Sequence, residues 1–147
     1  MTDRDPSVRV RRARIEEIRE LARQYRDQSA QGGGDGHRDA PLPPGGIFWI
    51  AQDAEDGRAL GYAAGRLAPE GITIGPVYVR PDERRRGVGQ ELLREIQRWA
   101  EGTRVPVVEV SVAVDNVTGR AFLESAGYVP RRILFSLTPH VQRDQRG

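Results

Sequence analysis

The feature that most constrains this chain is the segment Val79–Leu93, VRPDERRRGVGQELL, where apolar strand-like residues end, two glycines follow, and a helical apolar stripe begins. Gly87 and Gly89 at a strand-to-helix turn let backbone amides approach a ligand closely. The helix N-terminus that follows adds a dipole favourable to an anion. Arg84, Arg85 and Arg86 add positive charge beside those amides, so backbone and side chains both point to a phosphate or pyrophosphate. The turn lacks the P-loop lysine and the triple-glycine spacing of dinucleotide folds, which excludes the ordinary nucleotide motifs.

The rest of the chain reads as alternating strands and helices around this turn. Val8, Val10 and Ala13 open with a short strand, and Ile15, Ile18, Leu21, Ala22 and Tyr25 recur on one helical face. Residues 28–46 carry three consecutive glycines and three prolines and are expected to form a loop, either a plain surface insertion or a lid over an acceptor. Ile47–Gln52 and Leu60–Leu67 flank a turn-rich DAEDGRA segment, as an antiparallel hairpin does. The run ITIGPVYV follows, and Pro76 predicts a bulge or break because proline donates no backbone hydrogen bond. Val88, Leu92, Leu93, Ile96, Trp99 and Ala100 form the stripe of the next helix. Val107–Val114 is expected as a central strand with Glu109 and Ser111 on one face. Thr118–Ala126 is expected as a helix closed by Gly127, and Ile133–Leu137 as a last strand. Trp99 and Tyr128 are assigned to packing, as are Trp49 and Tyr62 of the hairpin, although these last two could instead line an acceptor.

With 147 residues, the chain has room for one core and is read as a single domain, 1–147, with its core at 8–137 and a frayed tail at 141–147. No apolar run approaches the roughly 20 residues of a membrane span, and the N-terminus has no apolar leader, so no membrane partner and a cytoplasmic location are expected. Cysteine is absent. This excludes disulfides, thiolate metal sites and a cysteine nucleophile, and no metal is expected. All 23 cations are arginine, which reflects either coding composition or phosphate binding. A net charge of +2, with 21 acidic residues scattered along the chain, argues against a nucleic-acid partner.

Arg84, Gly87 and Gly89 match the signature of the GCN5-related N-acetyltransferase (GNAT) family, which is Arg or Gln, two residues, Gly, one residue, then Gly or Ala. A second segment, DNVTGRAFLESAGYVP, resembles the family's Asn followed by a helix closing in Gly-Phe, with Asn116, Ala121, Gly127 and Tyr128 at the corresponding positions. The resemblance implies an α/β (α+β) fold. Its mixed central sheet would have about six to seven strands, splayed between the fourth and fifth, and three to four flanking helices. It also implies acetyl-CoA as co-substrate, held by backbone groups of Val77, Tyr78 and Val79, by Arg84, Arg85, Arg86, Gly87, Val88, Gly89 and Gln90 around the pyrophosphate, and by Asn116 near the pantetheine.

The implied reaction is direct attack of a primary amine, on a small molecule or a peptide, upon the thioester. Such attack calls for a proton acceptor and for stabilisation of the leaving thiolate. The tyrosine that commonly protonates the thiolate is replaced by Leu123. Glu109, as base, with Ser111 and Tyr78 as hydroxyls, are the candidate catalytic residues. The same departure leaves a non-catalytic acyl-CoA-binding domain as the alternative reading. Dimers are common in that family, and the acceptor has no recognisable signature in the chain.

Overall fold

The computed structural model describes residues 7–31 and 45–139. The chain divides into two compact units, Met1–Asn116 and Val117–Gly147. The first unit is built on a five-stranded sheet in the order β1-β2-β3-β4-β5, formed by β1 (Val8–Ala13), β2 (Ile47–Asp53), β3 (Ala59–Ala68), β4 (Gly71–Val79) and β5 (Val108–Val110). Neighbours are antiparallel except β4 and β5, which run parallel.

Helix α1 (Ile15–Gln31) lies on one face of the sheet. Its stripe of Ile18, Leu21 and Ala22, with Tyr25 partly buried beside it, packs on Phe48, Ile50, Tyr62, Ala64 and Tyr78. Glu17 fixes the start of this helix. One carboxylate oxygen accepts the Arg14 amide at 2.7 Å and the other accepts Arg11 Nη2 at 2.8 Å, which satisfies an amide that helix geometry leaves without a partner. Helix α2 (Val88–Gly102) buries Val88, Leu92, Leu93, Ile96 and Ala100. Its Trp99 meets Trp49 edge-to-face with ring centroids 5.5 Å apart. Alternation along β2 puts Trp49 opposite Phe48 and Ile50, so α2 covers the face away from α1.

The β2–β3 hairpin turns on Asp53, whose Oδ1 accepts the amides of Glu55 at 2.8 Å and Asp56 at 3.2 Å. Gly57 supplies the left-handed residue at φ 76° and closes the turn with its amide on Asp53 O at 2.9 Å. In the second unit, α3 (Val117–Ser125) buries Leu123, and Gly127 follows it at φ 95° with its amide bonded to Glu124 O.

Three expectations need correction. The loop expected over 28–46 starts later, because α1 continues to Gln31. Residues 32–44, including His37, lie outside the described residues, as does the tail 141–147. The strand expected over Val107–Val114 forms a ladder only at Val108–Val110. Ile133–Leu137 forms no strand: Ile133, Leu134, Phe135 and Leu137 are 67 to 88 % exposed, and no ladder among the described residues includes them. Alternating apolar residues confer a preference for extended backbone, but a strand exists only where a partner takes its amides and carbonyls. The sheet therefore has five strands among the described residues rather than six or seven.

Candidate functional site

A count of residues across β3 and β4 opens the sheet. Ala63 pairs with Val77 and Gly65 with Ile74, so the single residue Ala64 faces both Gly75 and Pro76. This two-against-one bulge shifts the pleat by one residue. Before it, Ile72 N donates to Val107 O at 2.9 Å and Ile74 O accepts Ser111 N at 3.0 Å, so even-numbered residues turn their backbone groups to β5. After it, Arg80 N donates to Leu60 O at 2.9 Å, and even-numbered residues turn to β3. In an antiparallel ladder both backbone groups of a residue point to the same side, and the side alternates. Val77 and Val79 consequently direct their N–H and C=O away from β3, into the wedge where β5 has left β4. The break expected at Pro76 is therefore the origin of the opening between the fourth and fifth strands.

The upper end of this wedge is the glycine turn. Pro81–Arg86 forms a 3-10 turn, Gly87 takes φ 73° and ψ 23°, and α2 begins at Val88. The first bond of α2 runs from Glu91 N to Gly87 O at 3.0 Å, and no side chain caps the helix. The amides of Val88, Gly89 and Gln90 precede that bond and have no partner within the helix. These donors sit together at the positive end of a 15-residue helix, an arrangement suited to pyrophosphate. Val88 is buried as a whole residue, so the amides open to a ligand are those of the half-buried Gly89 and the exposed Gln90.

The three arginines occupy different positions. Arg84 Nε donates to Val79 O at 3.1 Å, and its Nη2 donates to Gln28 Oε1 at 3.4 Å. Arg86 reaches the opposite way, to Glu83 Oε2 at 3.1 Å, Asp53 Oδ2 at 3.1 Å and Ser7 Oγ at 2.7 Å. Arg85 is exposed, and no hydrogen bond or ion pair to it occurs among the described residues. Among the described residues, its guanidinium is the one of the three that no protein group holds.

The proposed proton-handling residues fall on one face of the sheet. A Cβ on Gly65 would stand 2.8 Å and 2.9 Å from the δ-methyls of Ile72 and Ile74, so those isoleucines share its face, opposite Tyr62 and Ala64. Thr73, and Glu109 paired with it across β4 and β5, therefore lie on the α1 face, as does Ser111 by alternation. Ser111 stands at the fork itself, its Cβ 3.5 Å from where a Cβ on Gly75 would be. Glu109 is two residues deeper, within the closed part of the ladder. Tyr78, further up β4 on the same face, is 3 % exposed. Its hydroxyl accepts Gln28 Nε2 at 2.8 Å, and its ring packs edge-on to Tyr25. Burial raises the Tyr78 phenol above the ordinary tyrosine value and so keeps it protonated. Asn116 closes a turn with its amide on Ala113 O at 3.0 Å. Leu123 is buried in α3 of the second unit.

Sequence reasoning missed Gln28, Glu83, Asp53 and Arg58, which hold the turn or the tyrosine in place. Gln28 sits three residues beyond Tyr25 and so continues the stripe of α1. Glu83 and Arg86 are three apart, a spacing that pairs charges on a helical turn.

Residues 14–128 match the acetyltransferase (GNAT) family. No curated protein matches the chain in sequence. Among solved structures, a GCN5-related N-acetyltransferase from Ralstonia eutropha superposes with a TM-score of 0.70 at 17 % identity, covering 90 % of this chain and 99 % of that one. The aminoglycoside N-acetyltransferase AAC(6')-Iy bound to the bisubstrate analogue CoA-S-monomethyl-acetylneamine gives 0.64 at 18 % identity, covering 89 % and 97 %. The same enzyme in complex with CoA gives 0.63 at 21 % identity, covering 88 % and 98 %. At these identities the likeness speaks for the fold. The family match spans the strand-turn-helix unit, the forked strands and α3, so the chain belongs to the acetyltransferase (GNAT) family.

Proposed function

We propose that this chain is an N-acetyltransferase of one domain that passes the acetyl group of acetyl-CoA to a primary amine by direct attack. One observation carries the reading: the bulge at Gly75–Pro76 turns the backbone groups of Val77 and Val79 into the wedge that ends at the uncapped amides of α2. A linear ligand with amides in its middle and a pyrophosphate at one end matches both parts. Acetyl-CoA has that form, and its thioester then falls toward the fork at Ser111. The relative AAC(6')-Iy, crystallised with CoA, supports this choice.

In the proposed reaction the amine nitrogen bonds to the thioester carbonyl carbon, the C–S bond breaks, and the thiolate leaves. The ammonium proton passes to solvent or to Glu109, and the thiolate takes a proton from solvent or from a hydroxyl. Ser111, at the fork, is the hydroxyl best placed for the leaving sulfur. Tyr78 accepts a hydrogen bond from Gln28 and so keeps its own proton to give, but its side chain is enclosed among Tyr25, Tyr62 and Gln28. The proton-handling groups share the α1 face, so the amine is expected to approach from that side, with the phosphates held at α2 on the other. The acceptor is a small molecule or a peptide. The aminoglycoside ligand of the relative makes aminoglycosides the first class to assay.

Calorimetric titration with acetyl-CoA tests the cofactor half, and the reading falls if no binding appears at high micromolar concentration. Thiol release with a panel of amines tests the transfer half. Leu123, at the sequence position where the family commonly has its acid, favours a second reading, a non-catalytic acyl-CoA-binding domain. Turnover with any amine in the panel excludes it. An unchanged rate in Glu109→Gln removes that residue from the mechanism.

A further inference from the structure

Glu83, in the middle of the turn that precedes α2, is a buried acid in the place where an anionic ligand is expected. It is the one buried charged residue among those described, 7 % exposed. An uncompensated carboxylate there would repel a pyrophosphate and pay a large desolvation penalty. Neither occurs, because Arg58 Nη2 meets one oxygen at 2.6 Å and Arg86 Nη1 meets the other at 3.1 Å. Arg86 in turn binds Asp53 Oδ2 at 3.1 Å and both Ser7 Oγ at 2.7 Å and Ser7 O at 3.3 Å. Asp53 is itself held by the Glu55 and Asp56 amides, with Arg86 adding to them, and these bonds keep its carboxyl below the ordinary aspartate value. With Asp56 Oδ2 3.5 Å from Arg58 Nη1, three carboxylates and two guanidiniums thus form one network that joins the turn to the start of β1 and to the β2–β3 hairpin.

We infer that Glu83 is a positioning residue for the pyrophosphate turn, and that Arg86 is a strut in its network rather than a phosphate ligand. The inference rests on the acetyl-CoA reading above. The turn has no side-chain cap at either junction, so its orientation depends on such tethers. With Glu83 bonded on both sides, the Gly87–Gln90 amides are held at one angle to β4. Positive charge toward the ligand then comes from Arg85 and from whatever part of Arg84 its bonds to Val79 and Gln28 leave available.

The sign of one substitution separates positioning from simple charge. Glu83→Gln removes a negative charge near the bound pyrophosphate, so Coulomb attraction alone tightens acetyl-CoA binding. Loss of positioning weakens it. The experiment measures kcat and KM for wild type, Glu83→Gln and Arg58→Gln with acetyl-CoA and with S-acetylpantetheine, which lacks the pyrophosphate. The expected result is a KM for acetyl-CoA raised about tenfold, the scale of one charge-assisted hydrogen bond, at unchanged kcat. S-acetylpantetheine kinetics should be unchanged in both variants. A KM for acetyl-CoA that falls or stays level overturns the inference, as does an equal loss with both thioesters, which marks a general structural defect. Arg58→Gln loosens the same tether from an exposed side chain and keeps the test available if Glu83→Gln does not fold. Wild-type calorimetry with acetyl-CoA runs alongside. Absence of binding there defeats the cofactor reading itself, whereas wild-type binding with unaffected variants defeats only the positioning role.

Discussion

Gln28 donates its side-chain amide to the hydroxyl of Tyr78 at 2.8 Å, a bond that links the last turn of α1 to the strand beside the wedge. The same amide group accepts from Arg84 at 3.4 Å, so one side chain touches the helix, strand and turn that border the site. A partly buried bond of this kind contributes about 1 kcal/mol, and the group left behind when one partner is removed carries most of the cost. A double-mutant cycle of Gln28→Leu and Tyr78→Phe, followed by urea unfolding, is expected to give a coupling of about 1 kcal/mol. Additive effects would mean that the bond does not form in solution.

Gly87 is the second prediction. At φ 73° it occupies the left-handed region, and a Cβ there would meet only Gln90 Oε1 at 3.9 Å. Its requirement is therefore conformational rather than steric crowding. Gly87→Ala should destabilise the protein by about 1 kcal/mol, and it should weaken acetyl-CoA binding by tilting the first turn of α2. Gly87→Asn should lose less of both, because asparagine tolerates this region better than alanine. Unfolding midpoints and calorimetry on the two variants check the order, and equal losses would contradict it.

Acid should loosen the start of α1. The Arg11 side chain, with the Arg14 amide, lowers the Glu17 carboxyl from 4.5 to about 2. A folded-state pKa below the unfolded one adds stability that is complete above about pH 4.5 and is lost as pH falls toward 2. Urea midpoints measured across that range should fall more steeply for wild type than for Glu17→Gln, which has no such group to protonate. Parallel curves would show that Glu17 is not the source.

How far these features can be read from the sequence depends on whether each is local. The glycine turn, the stripe of α2 and the break at Pro76 are local, because a missing N–H or a repeated apolar spacing is present in the residues themselves. The direction in which Val77 and Val79 turn their backbone groups is not, since it depends on how many residues of β3 lie opposite Gly75 and Pro76. Val107–Val114 alternates over its whole length, yet only Val108–Val110 forms a ladder, because β5 leaves β4 at the fork. Ile133–Leu137 has strand composition and no ladder among the described residues. Gln28 was hidden by the glycine and proline run that follows the helix. The role of Glu83 depends on Arg58 and Asp53, which lie in a different hairpin.

The bulge in β4 has a consequence for how such a site is inherited. The groups it presents at Val77 and Val79 are peptide groups, so valine can be exchanged for many other residues there without altering what the wedge offers a ligand. A one-residue deletion between Ile74 and Val77 is a different kind of change. It would remove the two-against-one count opposite Ala64 while leaving Val77 opposite Ala63 and Tyr78 opposite Tyr62, so the peptide groups would keep their direction and the bulge at which β4 and β5 part would be lost. What the site requires here is thus the extra residue in the strand rather than a particular side chain.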